Sequence, residues 1–221
     1  MSNYYPKNTE SGKGTLPCAE EDISKCPFMH SGCLQTSSCI PPTITKAPLD
    51  YTVAVPITLA KSLEGKYFVG NSGLLTFGNG TNAWARLYNP PNSRVNLFVT
   101  AWTVSNLTDA PFRAQIYFNS TPPGAPMESS LISPANTAFC PLPNPKIKLQ
   151  YASSVTGEPT GGAQTFARRI PPQSTVAEDE DGKFIFPPGG SFLVFPSNLG
   201  APDLKLSGEI AFGWWEEPIC K

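Results

Sequence analysis

The chain has 221 residues, of which 40% are hydrophobic and only 15% are charged, and its formal net charge is -1. Soluble globular proteins usually carry about 25% charged residues, and a nearly neutral chain offers no electrostatic basis for binding nucleic acid or an anionic membrane. A weakly charged surface also repels copies of itself poorly, which favours self-association. We therefore expect no nucleic-acid partner, and we expect the chain to associate with itself.

The N-terminal residues lack the apolar segment of a secretory signal peptide. The chain begins Met1-Ser2-Asn3-Tyr4 and continues with polar residues, and no apolar run is long enough to cross a bilayer. We therefore expect synthesis in a cytoplasm and no membrane insertion. Six cysteines are nevertheless many for a protein of a reducing compartment.

Residues 1–48 are polar and contain scattered prolines, and we predict that they form an extended N-terminal arm. The segment shows no sustained period of 2 or 3.6, and Pro41, Pro42 and Pro48 stiffen its exit toward the rest of the chain. Four cysteines lie in the arm, one lies in a proline-rich loop and one precedes the last residue: Cys18, Cys26, Cys33, Cys39, Cys140 and Cys220. This distribution favours covalent links between neighbouring copies.

Residues 49–221 are predicted to form a folded body around the segment 94–119. Its second half, 112–119, alternates with the period of a strand that buries one face. Its first half is apolar on both faces, as a covered central strand would be, and turn-forming residues 105–111 separate the halves. We therefore predict a hairpin. The buried face of the second strand holds Phe112, Ala114, Ile116 and Phe118; the first strand has Val95, Leu97 and Val99 on one face and Phe98, Trp102 and Val104 on the other.

Further short strands are predicted on both sides of this hairpin, at 53–59, 66–69, 74–77, 83–88, 146–153, 184–186, 192–195 and 204–212. Residues 164–176 are predicted to hold a short edge strand, because Pro171 and Pro172 exclude a central position. About ten short strands with turns between them, and no helical period, indicate an all-β antiparallel sandwich, with a jelly roll as the favoured topology.

Catalysis has little support in the sequence. The only histidine, His30, lies in the arm without a body-bound partner, whereas a catalytic base must be held rigidly beside its nucleophile. The acidic runs 178–181 and 216–217 are interpreted as a solvated turn and a polar C-terminal tail. We therefore predict that the chain is not an enzyme and needs no cofactor.

Two other functions remain open. Cys26, His30, Cys33 and Cys39 offer a chemically adequate tetrahedral zinc set, although their spacing lacks the paired knuckles of structural zinc motifs. Such a site would make the chain a zinc-stabilised interaction domain. The second function is a carbohydrate- or surface-binding module, in which aromatic rings stack on sugars. The candidate rings are Trp84, Trp102, Trp214 and Trp215, and at least one of the adjacent pair Trp214-Trp215 should face outward.

Four motifs of the body carry a family resemblance: Asn89-Pro90-Pro91-Asn92-Ser93, Phe112-Arg113-Ala114-Gln115-Ile116-Tyr117, Phe186-Pro187-Pro188-Gly189-Gly190-Ser191 and Ala211-Phe212-Gly213-Trp214-Trp215-Glu216. In these motifs the chain resembles a family of uncharacterised β-sandwich proteins of spore-forming bacteria, over most of residues 49–217. In overall plan, a leaderless sandwich with an N-terminal cysteine arm is similar to the fibre subunits of endospore appendages, the spore pili.

The likeness to appendage subunits implies that the arm bridges to the next subunits and that disulfides lock it there. Cys18, Cys26, Cys33 and Cys39 would then match the connector cysteines in role, although this chain has a longer arm, more arm cysteines and a larger body. The resemblance also implies that subunits made in a mother cell become oxidised when that cell lyses, which places the protein on the spore or cell surface.

Together, these observations predict a structural subunit that assembles with itself into a disulfide-stabilised surface fibre. We expect the arm to dock on a neighbouring body and to bury the apolar residues Ile23, Phe28, Met29, Leu34 and Ile40, for instance by adding a strand to an exposed sheet edge. A non-closing contact of this kind grows into a filament.

Overall fold

The computed structural model describes residues 54–200 and 203–219. The predicted arm lies outside this part of the chain. The arm cysteines, the arm docking residues, His30 and Cys220 therefore have no structural counterpart here, and the boundary predicted at residue 48 stays a prediction. In the described residues no helix is long and apolar enough to span a membrane.

The described chain holds one short helix and eleven strands. They are α1 (Ile57–Leu63), β1 (Tyr67–Gly78), β2 (Asn82–Tyr88), β3 (Val95–Asn106), β4 (Phe112–Phe118), β5 (Met127–Glu128), β6 (Ile132–Pro134), β7 (Lys148–Val155), β8 (Ala163–Ile170), β9 (Ser174–Phe186), β10 (Ser191–Asn198) and β11 (Lys205–Pro218).

The strands form two antiparallel sheets that pack face to face, which confirms the predicted sandwich. The front sheet has the order β6-β1-β11-β3-β9, and the back sheet has the order β5-β7-β2-β10-β4-β8. In the sequences β1-β11-β3-β9 and β2-β10-β4-β8, early and late strands of the chain alternate. This interleaving is the jelly-roll arrangement of two Greek keys.

The predicted hairpin between β3 and β4 is wrong, although both strands exist. β3 pairs with β11 and β9 in the front sheet, whereas β4 pairs with β10 and β8 in the back sheet. The turn-forming residues between them therefore carry the chain across the sandwich instead of reversing it within one sheet. The side chain of Asn106 supports this crossing, since its Nδ2 donates to the carbonyl oxygens of Ala110 and Pro171 at 2.9 Å each.

The predicted facing of β3 is also wrong in its second half. Val95, Leu97 and Val99 face the core, but so do Trp102 and Val104, which were assigned to the opposite face with Phe98. The pairings of β3 shift register between Val99 and Ala101, so Thr100 is an extra residue in the strand. Such a bulge reverses the alternation of inward and outward side chains. The odd-numbered residues of β3 therefore face the core before Thr100, and the even-numbered residues face it after Thr100.

The segment predicted as a first strand at 53–59 instead leads into α1. Pro56 lies at its start, where a missing backbone N–H costs nothing. Gly65, at φ 70°, ends it, with the Lys66 N–H donating to the Lys61 carbonyl oxygen at 2.9 Å. This closure is the glycine-terminated cap typical of helix C-termini. The edge strand predicted in 164–176 is confirmed as β8, which ends before Pro171.

The core lies between the sheets and is almost entirely apolar. Its largest members include Trp102, Trp214, Phe112 and Phe192, all fully buried. A second, smaller cluster covers the outer face of the back sheet around Trp84, Tyr117 and Phe195. There the Trp84 indole N–H donates to the Pro123 carbonyl oxygen at 2.7 Å, which fixes the loop after β4 over the cluster.

Candidate functional site

The outer face of the front sheet carries an open apolar groove of about 610 Å³, which we call the outer groove. It crosses four neighbouring elements and is lined chiefly by Val69, Ala101, Thr103, Leu131, Ala211 and Gly213. In the described chain, Val69 and Leu131 are among the exposed large hydrophobic residues, at 43% and 53% exposure. These exposed apolar side chains make the outer groove a candidate docking surface.

Small residues on the central strands create the floor of the outer groove. In β11, Ala211 and Gly213 point outward while Phe212 and Trp214 point into the core. Ala211 pairs with Thr103, and Gly213 pairs with Ala101, so these small residues lie next to one another. The larger side chains of Val69 and Leu131 project beside this floor and form one side of the outer groove.

Tyr67 lies across the backbone of Gly213. A Cβ built on Gly213 would stand 2.5 Å from the Tyr67 hydroxyl oxygen, so only glycine permits this close approach. Tyr67 is also the one titratable residue among the described residues that line the groove. The described lining of the outer groove is therefore chiefly apolar and includes no charged side chain.

The four tryptophans proposed as sugar platforms are all buried. Trp84, Trp102 and Trp214 have no exposed surface, and Trp215 is 6% exposed. Trp215 does face outward, as predicted for one of the pair, but its ring stacks on Phe98 and is covered by the backbone at Gly182. Stacking of a sugar needs an accessible ring face, so these tryptophans do not supply one.

Two glutamates assigned to solvated regions are in fact buried. Glu180 is 4% exposed and accepts a hydrogen bond from the Trp102 indole N–H at 3.1 Å, while its second oxygen lies 2.6 Å from Lys183 Nζ. Glu216 is 6% exposed and accepts from the backbone N–H groups of Lys146 and Ile147. The interpretation of 178–181 as a solvated turn and of 216–217 as a polar tail is therefore wrong for these two side chains.

Glu216 ties the start of β7 to the end of β11. Its Oε1 lies 3.0 Å from the Ile147 nitrogen and 3.2 Å from the Trp214 indole nitrogen. Burial raises the pKa of this carboxyl above its ordinary value, although the hydrogen bonds act in the opposite direction. Because both oxygens are engaged by structural donors, the group has the geometry of a clamp and not of a catalytic base.

A ring of ion pairs holds α1 against the sandwich. Lys61 and Lys66 each contact both Glu64 and Glu217, with nitrogen–oxygen distances between 2.8 and 3.1 Å. The helix itself has no buried residue. Its side chains Ile57, Leu59 and Leu63 are 49%, 50% and 62% exposed, so charges rather than apolar burial fix its position.

Among the predicted cross-linking residues, the structure describes Cys140. It is disulfide-bonded, and the other five cysteines lie outside the described residues. Its loop approaches the end of α1, where a Cβ on Gly65 would meet the ring of Phe139 at 3.0 Å.

No group of three or more His, Cys, Asp and Glu side chains in the described part of the chain is arranged to hold a metal ion. The predicted zinc set of Cys26, His30, Cys33 and Cys39 falls outside that part, so it stays a prediction.

Comparison with known proteins places the fold in a family. No curated protein matches the chain. A family model described as "Family of unknown function (DUF6143)" matches residues 41–221, which include every strand of the sandwich. The chain belongs to this family of unknown function.

Proposed function

We propose that the chain is a structural subunit that assembles with itself into a fibre, with the N-terminal arm of one copy docked on the body of another. The observation that supports this proposal best is the outer groove, which is open and chiefly apolar. It fits a segment that presents hydrophobic side chains along an extended backbone.

The arm is the occupant that the chain itself provides. It contains the apolar residues Ile23, Phe28, Met29, Leu34 and Ile40. Fully extended, its 48 residues reach on the order of 150 Å, which is several times the diameter of one sandwich. Burial of each large apolar side chain contributes about 1.5–3 kcal/mol, so several of them together are needed to offset the entropic cost of association.

Docking in the groove is favoured over addition of a strand to a sheet edge. The long edge strand β9 of the front sheet carries Glu178, Asp179 and Asp181, and the edge strand β8 of the back sheet carries Arg168 and Arg169. Charged residues on edge strands discourage pairing with another backbone. The outer groove is not protected in this way.

A spore or cell surface is the proposed location of the fibre, on the strength of the resemblance to endospore-appendage subunits. Disulfides between arm cysteines would then make the docked contact resistant to dissociation. A carbohydrate-binding role has less support, since the tryptophans that would stack on sugars are buried.

Assembly can be tested by negative-stain microscopy and sedimentation of the purified full-length chain. The test variant is Val69→Asp, in the groove, and the matched control is Leu74→Asp, an exposed apolar residue of the same strand outside the groove. We expect filaments from the natural chain and from Leu74→Asp, and monomers from Val69→Asp. Monomers of the natural chain at all concentrations would refute the proposal. Filaments from all three proteins would show that the outer groove is not the docking site.

A further inference from the structure

A second pocket, of about 820 Å³, lies at the end of the sandwich where β2 and β11 end and β3 and β7 begin. Three cationic residues line it, Arg94, Lys146 and Lys148. Tyr88, Asn92 and Gln150 add hydrogen-bonding groups. We call this site the basic pocket. Its described lining includes no acidic residue, and the Glu128 carboxylate that pairs with Lys148 leaves an excess of positive charge at the site.

Two of the three cations have no ion-pair partner among the described residues. Lys148 Nζ lies 2.6 Å from an oxygen of Glu128, whereas Arg94 and Lys146 are exposed and pair with no described carboxylate. The nearest buried acid, Glu216, is engaged by backbone N–H groups, including that of Lys146 itself. The charges of Arg94 and Lys146 are therefore available to an incoming anion.

The backbone holds Arg94 in a conformation that an arginine rarely adopts. Its φ is 61°, in the left-handed region where non-glycine residues are uncommon. The turn is fixed by a hydrogen bond from the Ser93 N–H to the Pro90 carbonyl oxygen and by another from the Ile219 N–H to the Arg94 carbonyl oxygen. Residues held in such regions cluster at functional sites.

We propose that the basic pocket binds the acidic stretch Glu20-Glu21-Asp22 of a neighbouring copy. This inference rests on the proposed function, and it adds a charged anchor to the apolar contact in the outer groove. The other acidic run of the chain, 178–181, is a poorer occupant, because Glu178 pairs with Arg168 and Glu180 pairs with Lys183 within the same body. The stretch 20–22 supplies three successive carboxylates, and Arg94 and Lys146 are the two lining cations that make no ion pair with a described carboxylate.

The spacing of the two sites fits one continuous segment. Along β11, Gly213 lines the outer groove and Pro218 lines the basic pocket. Five residues of a strand span about 17 Å. In the arm, Phe28 lies six positions after Asp22, and an extended chain of six residues reaches about 20 Å. Since Gly182 covers Trp215 and the ion pairs of α1 occupy Glu217 on the straight path along β11, the arm takes a longer route. Leu34, twelve positions after Asp22, is about 40 Å away along an extended chain and can therefore enter the outer groove when Asp22 lies in the basic pocket.

Charge reversal on both sides of the contact tests this inference in the full-length chain. Lys146→Glu and Glu21→Lys are made separately and together, with Lys205→Glu as a control at an exposed lysine outside the pocket. Assembly is followed by light scattering at low salt. We expect each single reversal in the pair to slow assembly roughly tenfold, because rim charges act mainly on association rates, and we expect the double variant to recover most of the loss.

Arg94→Asn is a second probe that does not depend on the folding of Lys146→Glu. Asparagine tolerates the left-handed conformation, so this change removes a charge without straining the turn. We expect slower assembly, and an attenuated salt dependence relative to the natural chain. Equal assembly of all these variants would overturn the inference while leaving the proposed function intact. Failure of the natural chain to assemble would overturn the proposed function and this inference with it.

Discussion

The indole ring of Trp215 lies nearly parallel to the ring of Phe98, with centroids 5.0 Å apart and planes 11° apart. The two residues are direct partners across β11 and β3. β9 departs from regular pairing at 180–183 and brings Gly182 against the benzo ring of the same indole. An outward tryptophan is thus enclosed by its own chain.

Gly182 is predicted to tolerate no side chain. Its φ is 74°, and a Cβ would stand 1.9 Å from the Trp215 ring. We expect Gly182→Ala to lower the free energy of unfolding by about 2–4 kcal/mol, since backbone strain and overpacking add. Urea unfolding measures this change. Gly189→Ala is the control, because Gly189 has φ 88° and a Cβ added there would meet no atom within 4 Å. This variant should lose only about 1 kcal/mol of unfolding free energy. Equal losses in both variants would contradict the contact.

Glu216 is predicted to make the protein relatively more stable in acid. Burial raises the pKa of this carboxyl above its ordinary value of 4.5, so the folded state binds the proton more tightly than the unfolded state. The contribution is fully present below pH 4.5 and is lost as the pH rises through the raised pKa. We expect the natural chain to exceed Glu216→Gln in unfolding free energy, and by more at about pH 4 than at about pH 7. Urea titrations across this range provide the measurement, and a pH-independent difference would count against the assignment.

Glu217 is predicted to show the opposite pH dependence. Burial acts to raise its pKa, but hydrogen bonds from Lys61 and Lys66 outweigh that effect and lower it. Its stabilisation is therefore present above the ordinary value of 4.5 and is lost as the pH falls through the lowered pKa. At neutral pH we expect Glu217→Gln to cost no more than about 1 kcal/mol, as partly exposed ion pairs do.

The loss of stability in Glu217→Gln should be confined to α1, because this helix has no buried residue that would keep it in place. Hydrogen exchange of the amides of α1 should accelerate, while the amides of β3 keep their protection. High salt should produce the same acceleration in the natural chain, because it screens exposed charges. Unchanged exchange in α1 under both conditions would show that the ion pairs do not anchor the helix.

Cys140 is predicted to be protected from alkylation until the protein is reduced. It is disulfide-bonded, so a thiol-specific reagent applied to the denatured, unreduced chain should leave it unlabelled. Mass spectrometry of the peptide that contains Cys140, before and after reduction, measures the labelling. Cys140→Ser should release one free thiol, that of its partner cysteine. Full labelling of Cys140 without reduction would contradict the disulfide.

The pairing of β3 and β4 and the facing of Trp102 could not be predicted for the same physical reason. The period of a sequence reports which side chains of one strand share a face, and it does not report which strands are neighbours. The alternation in 112–118 identified β4, because one face of that strand packs into the core. It did not reveal that β3 and β4 lie in different sheets, since a hairpin and a crossing bury the same side chains. The extra residue Thr100 likewise reversed the facing of Trp102 without any mark in the pattern.

The outer groove was not predicted for a related reason. Ala101, Ala211 and Gly213 are unremarkable along the chain, and they form a floor only because β3 and β11 become neighbours. Glu180 and Glu216 were assigned to solvent because glutamate is usually exposed, whereas their buried positions depend on donors from distant residues, Trp102 for one and Lys146 and Ile147 for the other.

By itself, the sequence determined the class of fold, because alternating apolar residues and turn-forming segments leave few ways to bury a hydrophobic face other than a β-sandwich. Only the tertiary structure decided which strands are neighbours, which aromatic rings are covered and where small side chains line up into a groove. Those properties depend on contacts between residues far apart in the chain, and the free energy of such contacts is set by three-dimensional packing.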